Sequence, residues 1–149
     1  MKNIVLQFIH ESLKEIDQVG IAVIVKNDTV LALKRGSTAP WKPNTWAMAG
    51  GGQEGNETLL QTALRELKEE TSLIGTAKSS NLLYKYHNQA DNYVAEFYLI
   101  QVDKNQEVKL DYENSEFKWI TLKEVDNMIW ASKEVPYVAK KVLLAINSK

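Results

Sequence analysis

The sequence predicts an α/β (α+β) protein, a single domain with a mixed β-sheet and helices interspersed. Three observations carry this. Short β-branched or aromatic runs alternate with stretches whose apolar residues recur at helical spacing. No internal repeat, low-complexity segment or Pro/Gly/Ser-rich linker divides the chain. Its 149 residues, 44% of them hydrophobic, suffice for one core without staples.

Along the chain, Ile4, Val5, Phe8, Ile9, Leu13 and Ile16 fall near helical spacing and predict an amphipathic helix over residues 1–16. Val19 to Val25 is a β-branched run and reads as a buried strand. Asn27-Asp28 supplies turn chemistry, so Val30 to Arg35 reads as that strand's hairpin partner. Residues 36–56 hold five of the seven glycines and two of the three prolines and must be mostly loop. The clearest helix is 57–71, where Leu60, Ala63, Leu64 and Leu67 form one apolar stripe behind Asn56 as N-cap. Glu57 would sit against the positive helix start. Leu82–His87 and Tyr93–Val102 read as strands around the polar turn 88–92, and Phe117–Ile120 as a further short strand. Thr121-Leu122-Lys123-Glu124 has capping-box spacing and opens a short helix. The last helix runs from about Ser132 to Ile146, with Pro136 in its first turns.

Composition narrows the function. Net charge is −1, from 18 basic and 19 acidic side chains, which argues against a nucleic-acid polymer as partner, since phosphate neutralisation needs a basic excess. A small anionic ligand remains open if a metal supplies positive charge. The absence of cysteine excludes disulfides and thiolate metal sites. Gln7, His10, Glu11 and Lys14 interrupt the N-terminal apolar residues, and no stretch approaches a membrane span. The expectation is a cytoplasmic protein without membrane association.

One constellation carries chemistry. At roughly 100° per residue, Glu66, Glu69 and Glu70 fall within an arc of about 100° beside the apolar stripe. Three carboxylates at i, i+3 and i+4 repel unless something positive lies between them. A hard divalent cation suits such oxygen ligands, and Mg²⁺ bridges carboxylates to substrate phosphates. Taken alone, Arg65-Glu66-Leu67-Lys68-Glu69-Glu70 is more often a solvated face, with Arg65 and Lys68 neutralising it. The preceding Ala49-Gly50-Gly51-Gly52 shifts the balance, because glycines let backbone groups approach a ligand closely.

Gly51, five residues, Glu57, seven residues, then Arg65-Glu66-Leu67-x-Glu69-Glu70-x-x-Leu73 resembles the Nudix box, G-x5-E-x7-R-E-U-x-E-E-x-G-U. Eight of its nine specified positions match over 23 residues. The departure is Ser72 where the box has glycine; serine in a left-handed position costs about 1 kcal/mol, unless Gly75 closes the turn instead. The likeness extends over roughly residues 18–147, with the hairpin, Trp46 and the late Phe117–Ile120 strand in place, and leaves the first helix unexplained.

The resemblance implies a mixed β-sheet sandwiched between helices and a Mg²⁺-dependent pyrophosphohydrolase, Mn²⁺ serving as an alternative ion. Its substrate would be a nucleoside diphosphate linked to another moiety, such as a nucleoside triphosphate. Glu66, Glu69 and Glu70 would hold the metal, joined by a backbone carbonyl of Gly50 or Gly51. Arg65 would pair with Glu57, two helical turns away. Water would attack phosphorus, with Glu66, or Glu113 from a later loop, taking the proton; Glu116 is the reserve. Glu113 would also join the metal set.

Substrate contacts are read from residue type alone. Arg35 could meet a phosphate, Trp41 or Trp46 could stack on a base, and Gly51 and Tyr86 are further candidates. Tyr84 alternates with Tyr86 and fits packing, as do Trp119 and Trp130; His87 reads as an exposed loop residue. Residues 1–16 could pair two copies into a homodimer. Two rival functions remain: a nucleotide-sensing domain of the same fold without activity, and a plain interaction domain with a charged helix. An isopentenyl-diphosphate-type isomerase is excluded, because that chemistry needs a cysteine.

Overall fold

A computed structural model describes residues 17–90 and 92–148. The helix expected over 1–16 lies outside them. In chain order the elements are β1 (Asp17–Val23), β2 (Val25–Lys26), β3 (Thr29–Arg35), β4 (Trp46–Ala47), β5 (Gly50–Gly52) and α1 (Leu59–Thr71). Then follow β6 (Gly75–Thr76), a 3-10 turn (Ser79–Asn81), β7 (Leu82–Asn88), β8 (Tyr93–Leu99), β9 (Gln101–Val102), β10 (Asn114–Ile120), α2 (Leu122–Val125) and α3 (Glu134–Asn147).

The first sheet is mixed, in the order β5-β1-β8-β7, with β1 parallel to β8 and the other pairs antiparallel. The second runs β10-β3-β2, with β4 also on β3. The turn at Asn27-Asp28 forms as expected, but the hairpin does not join β1 to β3. Only Val25 and Lys26 pair with β3. Both edges of β1 are occupied, by β5 on one side and β8 on the other, leaving no ladder for a third strand. The chain crosses between sheets at Ile24, whose carbonyl still accepts from the Leu31 amide at 3.0 Å.

Period-2 alternation then divides the core into two layers. Val23, Val30, Ala32, Ala95 and Phe97 face one way, onto Val135, Val138, Ala139 and Leu143 of α3. Ala22, Ile24, Leu31, Leu33 and Tyr98 face the other, onto Leu59, Ala63 and Leu67 of α1. Each Val, Leu, Ile or Phe among them contributes about 1.5–3 kcal/mol on burial. Helices therefore cover both faces of the strand layer, as the predicted class requires. Among the described residues no helix is long and apolar enough to cross a membrane.

α1 starts two residues later than expected. Thr58, not Asn56, is the N-cap: its hydroxyl accepts from the Gln61 amide, and the Gln61 side chain accepts from the Thr58 amide. This reciprocal box satisfies two of the orphan amides of the first turn, which Asn56 could not do. The buried face is also rotated. Leu59, Thr62, Ala63, Leu67 and Glu70 are buried, whereas Leu60 and Leu64 are half-buried. The helix ends at Ser72, which adopts the left-handed conformation at φ 66°, so Gly75 is free to pair in β6. At α2, Glu124 accepts from both the amide and the hydroxyl of Thr121, as the spacing predicted.

Candidate active site

The site forms where α1 lies on the edge of the first sheet. Helix and strand approach so closely there that a Cβ on Gly20 would stand 2.2 Å from the Leu59 carbonyl oxygen. Gly20 pairs with Gly51 in β5, and a Cβ on Gly51 would meet the Glu66 carboxyl at 2.6 Å. Glycine at both positions lets the acidic face of α1 touch the backbone of β5.

Arg65 is the hub. Its guanidinium donates to both oxygens of Glu57 (2.7 Å at the shortest), to Glu66 at 2.9 Å, to Glu69 at 3.2 Å and to the Gly52 carbonyl at 2.9 Å. One planar fork of five donors thus gathers three carboxylates and the glycine strand. Glu57 also accepts from the Glu54 amide and the Thr62 hydroxyl, each at 2.9 Å. The Arg65 hydrogen bonds, first among these causes, hold its carboxyl down at about 2. Because Glu57 precedes the helix, its side chain can turn back along the face to Arg65 across eight residues.

Glu66 and Glu70 contact each other beneath this cluster. Glu70 is only 7% exposed, and burial lifts its carboxyl to about 8 despite hydrogen bonds from the Gly50 amide (2.9 Å) and Asn114 (3.1 Å). Burial likewise raises Glu66, against the pull of Arg65. Arg65 pairs with Glu66 from one side, Glu70 is held by neutral donors alone, and the pair offers only oxygen ligands. Glu69 is the outer member, its side chain 55% exposed and turned to Arg65. Among the described residues no three acidic or histidine side chains are already gathered as a metal cluster.

A cleft of about 470 Å³ opens beside Gly50 and Gly51, walled by Val19, Ile21, Met48 and Val135 with Trp41 and Tyr93 at its sides. Arg35 stands at its rim, donating to the Trp41 carbonyl at 2.7 Å with its guanidinium over the indole.

The NUDIX domain family model matches residues 16–141. The chain belongs to the Nudix family. It is 33% identical to an RNA pyrophosphohydrolase of Pelagibacter ubique over 129 residues, covering 74% of this chain and 79% of that protein. Over 57 residues it is 46% identical to the m7GpppN-mRNA hydrolase NUDT17 of Xenopus laevis, covering 37% of this chain and 19% of that one. Its fold is similar to a Nudix hydrolase of Nitrosomonas europaea, at TM-score 0.77 and 20% identity over 91% of this chain and 74% of that one. The C. elegans Ap4A hydrolase superposes at TM-score 0.69 with 18% identity, covering 89% and 99% respectively. As a member with such relatives, the protein is a pyrophosphohydrolase, an enzyme acting on acid anhydrides.

Within this Nudix fold, Arg65, Glu57, Glu66, Glu69, Glu70, Gly50 and Gly51 converge. Gly50 gives its amide to Glu70. Trp41 and Arg35 line the cleft, but Trp46 and Tyr86 do not. Trp46 packs half-buried against the α3-side core and pairs through its backbone with Lys34, a consequence of its place in β4. Tyr86 lies on β7, at the far edge of the first sheet, stacked on Tyr84, which packs on Phe97 and Tyr137. Trp119 and Trp130 pack against the core, and His87 is exposed on β7, within a strand rather than a loop. Glu113 is exposed beside Asn114, its carbonyl accepting from Gly36, while Glu116 is paired with Lys34. Sequence reasoning missed Asn114, the buried amide that joins Glu70 to Asp111. No local pattern marks it; its only signal is a polar residue opening an otherwise ordinary strand.

Proposed function

We propose that this enzyme is a Mg²⁺-dependent pyrophosphohydrolase of free nucleotides, with Mn²⁺ as an alternative ion and Glu66, Glu69 and Glu70 as ligands. The Glu66–Glu70 pair, half-buried and buried respectively and facing the glycine strand, carries this reading. Its oxygen-only ligands suit a hard divalent cation, and Glu70 has no positively charged partner of its own. Glu69 completes the set by swinging its exposed side chain from Arg65. When bound, the cation neutralises substrate phosphates and makes water more acidic.

The chain's own residues do the rest. Arg65 holds Glu57 and Glu66 in one orientation, and the Gly50 amide and Asn114 fix Glu70. Water adds to phosphorus, the anhydride P–O bond breaks, the leaving phosphate keeps the electron pair, and the water's proton passes to Glu66. Glu113, exposed on a loop, serves as the outer acid that joins the metal set. Arg35 meets a phosphate at the rim, and Trp41 stacks on the base. The protein works in the cytoplasm, as a homodimer.

A hydrolysis screen with Mg²⁺ or Mn²⁺ tests this. Substrates are nucleoside triphosphates, dinucleoside polyphosphates, nucleotide sugars, NADH and 5′-triphosphate RNA, with Glu69→Gln as control. Metal-dependent cleavage of a free nucleotide, lost in the variant, is the expected result. Cleavage of the RNA end alone would move the substrate to the class named for the Pelagibacter relative. Metal binding without cleavage of anything would leave a nucleotide-sensing domain.

A further inference from the structure

The end of α1 is strapped down by a segment distant from it in sequence. The Lys109 amide donates to the Thr71 carbonyl at 2.8 Å, the Asp111 amide to the Glu70 carbonyl at 3.1 Å, and the Ser72 hydroxyl to the Lys109 carbonyl at 3.2 Å. These bonds lead residues 109–114 past the buried acid Glu70 to Glu113, whose carbonyl accepts from the Gly36 amide at 2.9 Å. Backbone groups and one serine hydroxyl thus dock the strap without help from the Asp111 side chain.

That side chain has a different task. Its Oδ1 accepts from the Asn114 side-chain amide and from the Glu113 backbone amide, each at 3.2 Å. The same Asn114 nitrogen, buried, also donates to Glu70 Oε1 at 3.1 Å, while the Gly50 amide reaches Oε2 at 2.9 Å. One nitrogen therefore stands between two carboxyl groups. Setting a half-buried second acid so near a buried one is electrostatically unfavourable, so stability does not explain an aspartate here. Orientation does. A side-chain amide can turn over and exchange its oxygen for its N–H groups. Turned over, Asn114 would set oxygen against oxygen at both Glu70 and Asp111, and the acceptor at Asp111 doubles the penalty for that state.

We infer that Asp111 is a positioning residue for the hydrolytic reaction, joining the buried acid Glu70, through Asn114, to the loop acid Glu113. This deepens the metal reading of the same site and rests on it. Asp111 acts only through its two neighbours. It keeps Asn114 donating, so that the Glu70 carboxyl is fixed from both oxygens, and it holds the backbone from which the Glu113 side chain emerges. Partners that orient a metal ligand in this way alter metal affinity by about 10–100-fold.

Mn²⁺ titrated into the protein and followed by electron paramagnetic resonance reads the effect without turnover. Wild type should bind the ion, and Asp111→Ala should bind it about tenfold more weakly or worse. Asp111→Asn keeps an acceptor oxygen but loses the charge, so it should recover most of the affinity. In an Asn114→Leu background, where the link to Glu70 is already cut, Asp111→Ala should weaken binding markedly less. Thermal melting identifies folded variants, and Asp111→Ser carries the test if the alanine variant is unfolded. Wild-type affinity in the truncated variant would overturn the inference and leave the metal reading intact. So would a loss in Asp111→Asn as large as in Asp111→Ala, or an undiminished loss in the Asn114→Leu background. No Mn²⁺ binding by the wild type would overturn the metal reading, and the inference with it.

Discussion

Substituting Gly20 by alanine should damage the enzyme through geometry alone, without touching any polar group of the site. The added Cβ would lie 2.2 Å from the Leu59 carbonyl oxygen and 2.9 Å from both the Ala63 nitrogen and the Thr62 Cβ, where ordinary contact begins at 3.4 Å. Two of these atoms are helix backbone, so rotamer changes give no relief and α1 must lift from β1 by about 1 Å. Overpacking of this kind destabilises by about 1–3 kcal/mol. The same lift separates Glu70 from the Gly50 amide, now 2.9 Å apart, because Gly50 is tied to β1 through Ile21 while Glu70 rides on the helix. A displacement of about 1 Å at a reacting centre reduces turnover by about a hundredfold. Calorimetric melting and kcat/KM on the best substrate read both consequences. Wild-type values for Gly20→Ala would refute the claim that this contact sets the depth of the acidic pair.

Three further outcomes follow from the same geometry. Arg65→Lys keeps the charge but replaces a planar fork with a point charge that cannot span Glu57, Glu66, Glu69 and Gly52 together; kcat/KM should fall by about a hundredfold or more with the fold retained, checked by steady-state kinetics and circular dichroism. Burial raises Glu70 from 4.5 to about 8, so the folded state holds that proton more tightly than the unfolded one. Its stabilisation is complete below about pH 4.5 and lost as pH rises through about 8. The melting temperature of metal-free protein should therefore decline across that window, and Glu70→Gln should flatten the decline; an equally steep profile in the variant would exclude Glu70 as its source. At Ser72, glycine relieves about 1 kcal/mol of left-handed strain but gives up the hydroxyl bond to the Lys109 carbonyl at 3.2 Å, while alanine gives up only the bond. Urea denaturation should rank Gly above Ala at this position, because both lack the hydroxyl and only alanine keeps the strain; the reverse order would show that the left-handed conformation carries no such cost.

What could be read from the sequence was what short spacing encodes. The 23 residues from Gly51 to Leu73 contain the acids, the arginine that gathers them and the glycine strand they face, so the cluster was legible by counting. Both later helices were placed within about two residues because caps and periodicity are local. Sheet topology was not legible. β1 finds its parallel partner in β8, with Asp17 opposite Tyr93, and nothing in the Val19–Val25 run distinguishes that pairing from a hairpin with β3. The proposed substrate contacts divided the same way. Trp41 and Trp46 are alike in sequence context, yet two residues of β4 pairing carry Trp46 into the core while Trp41 stays on the loop at the cleft.

The motif by itself does not make the pocket. An arginine with three glutamates on one exposed helix face would be a solvated, self-neutralised cluster, the bland reading that the hexapeptide invites. What changes its chemistry is the burial of Glu70, and burial comes from outside the helix. Gly20 sets how far α1 sinks onto the sheet, and Gly51 leaves room for the Glu66 carboxyl against β5. Asn114, 44 residues beyond Glu70, closes the far side. Arg65 is spent on Glu57, Glu66, Glu69 and Gly52, and makes no hydrogen bond to Glu70. The innermost acid is thus supported by neutral donors alone, the Gly50 amide and Asn114, and these leave its carboxyl raised. A cation entering beside Glu66 and Glu70 would meet one carboxylate already paired with Arg65 and one, Glu70, held only by neutral donors. The local motif supplies the ligands, and the non-local contacts bury the innermost of them away from any positive charge.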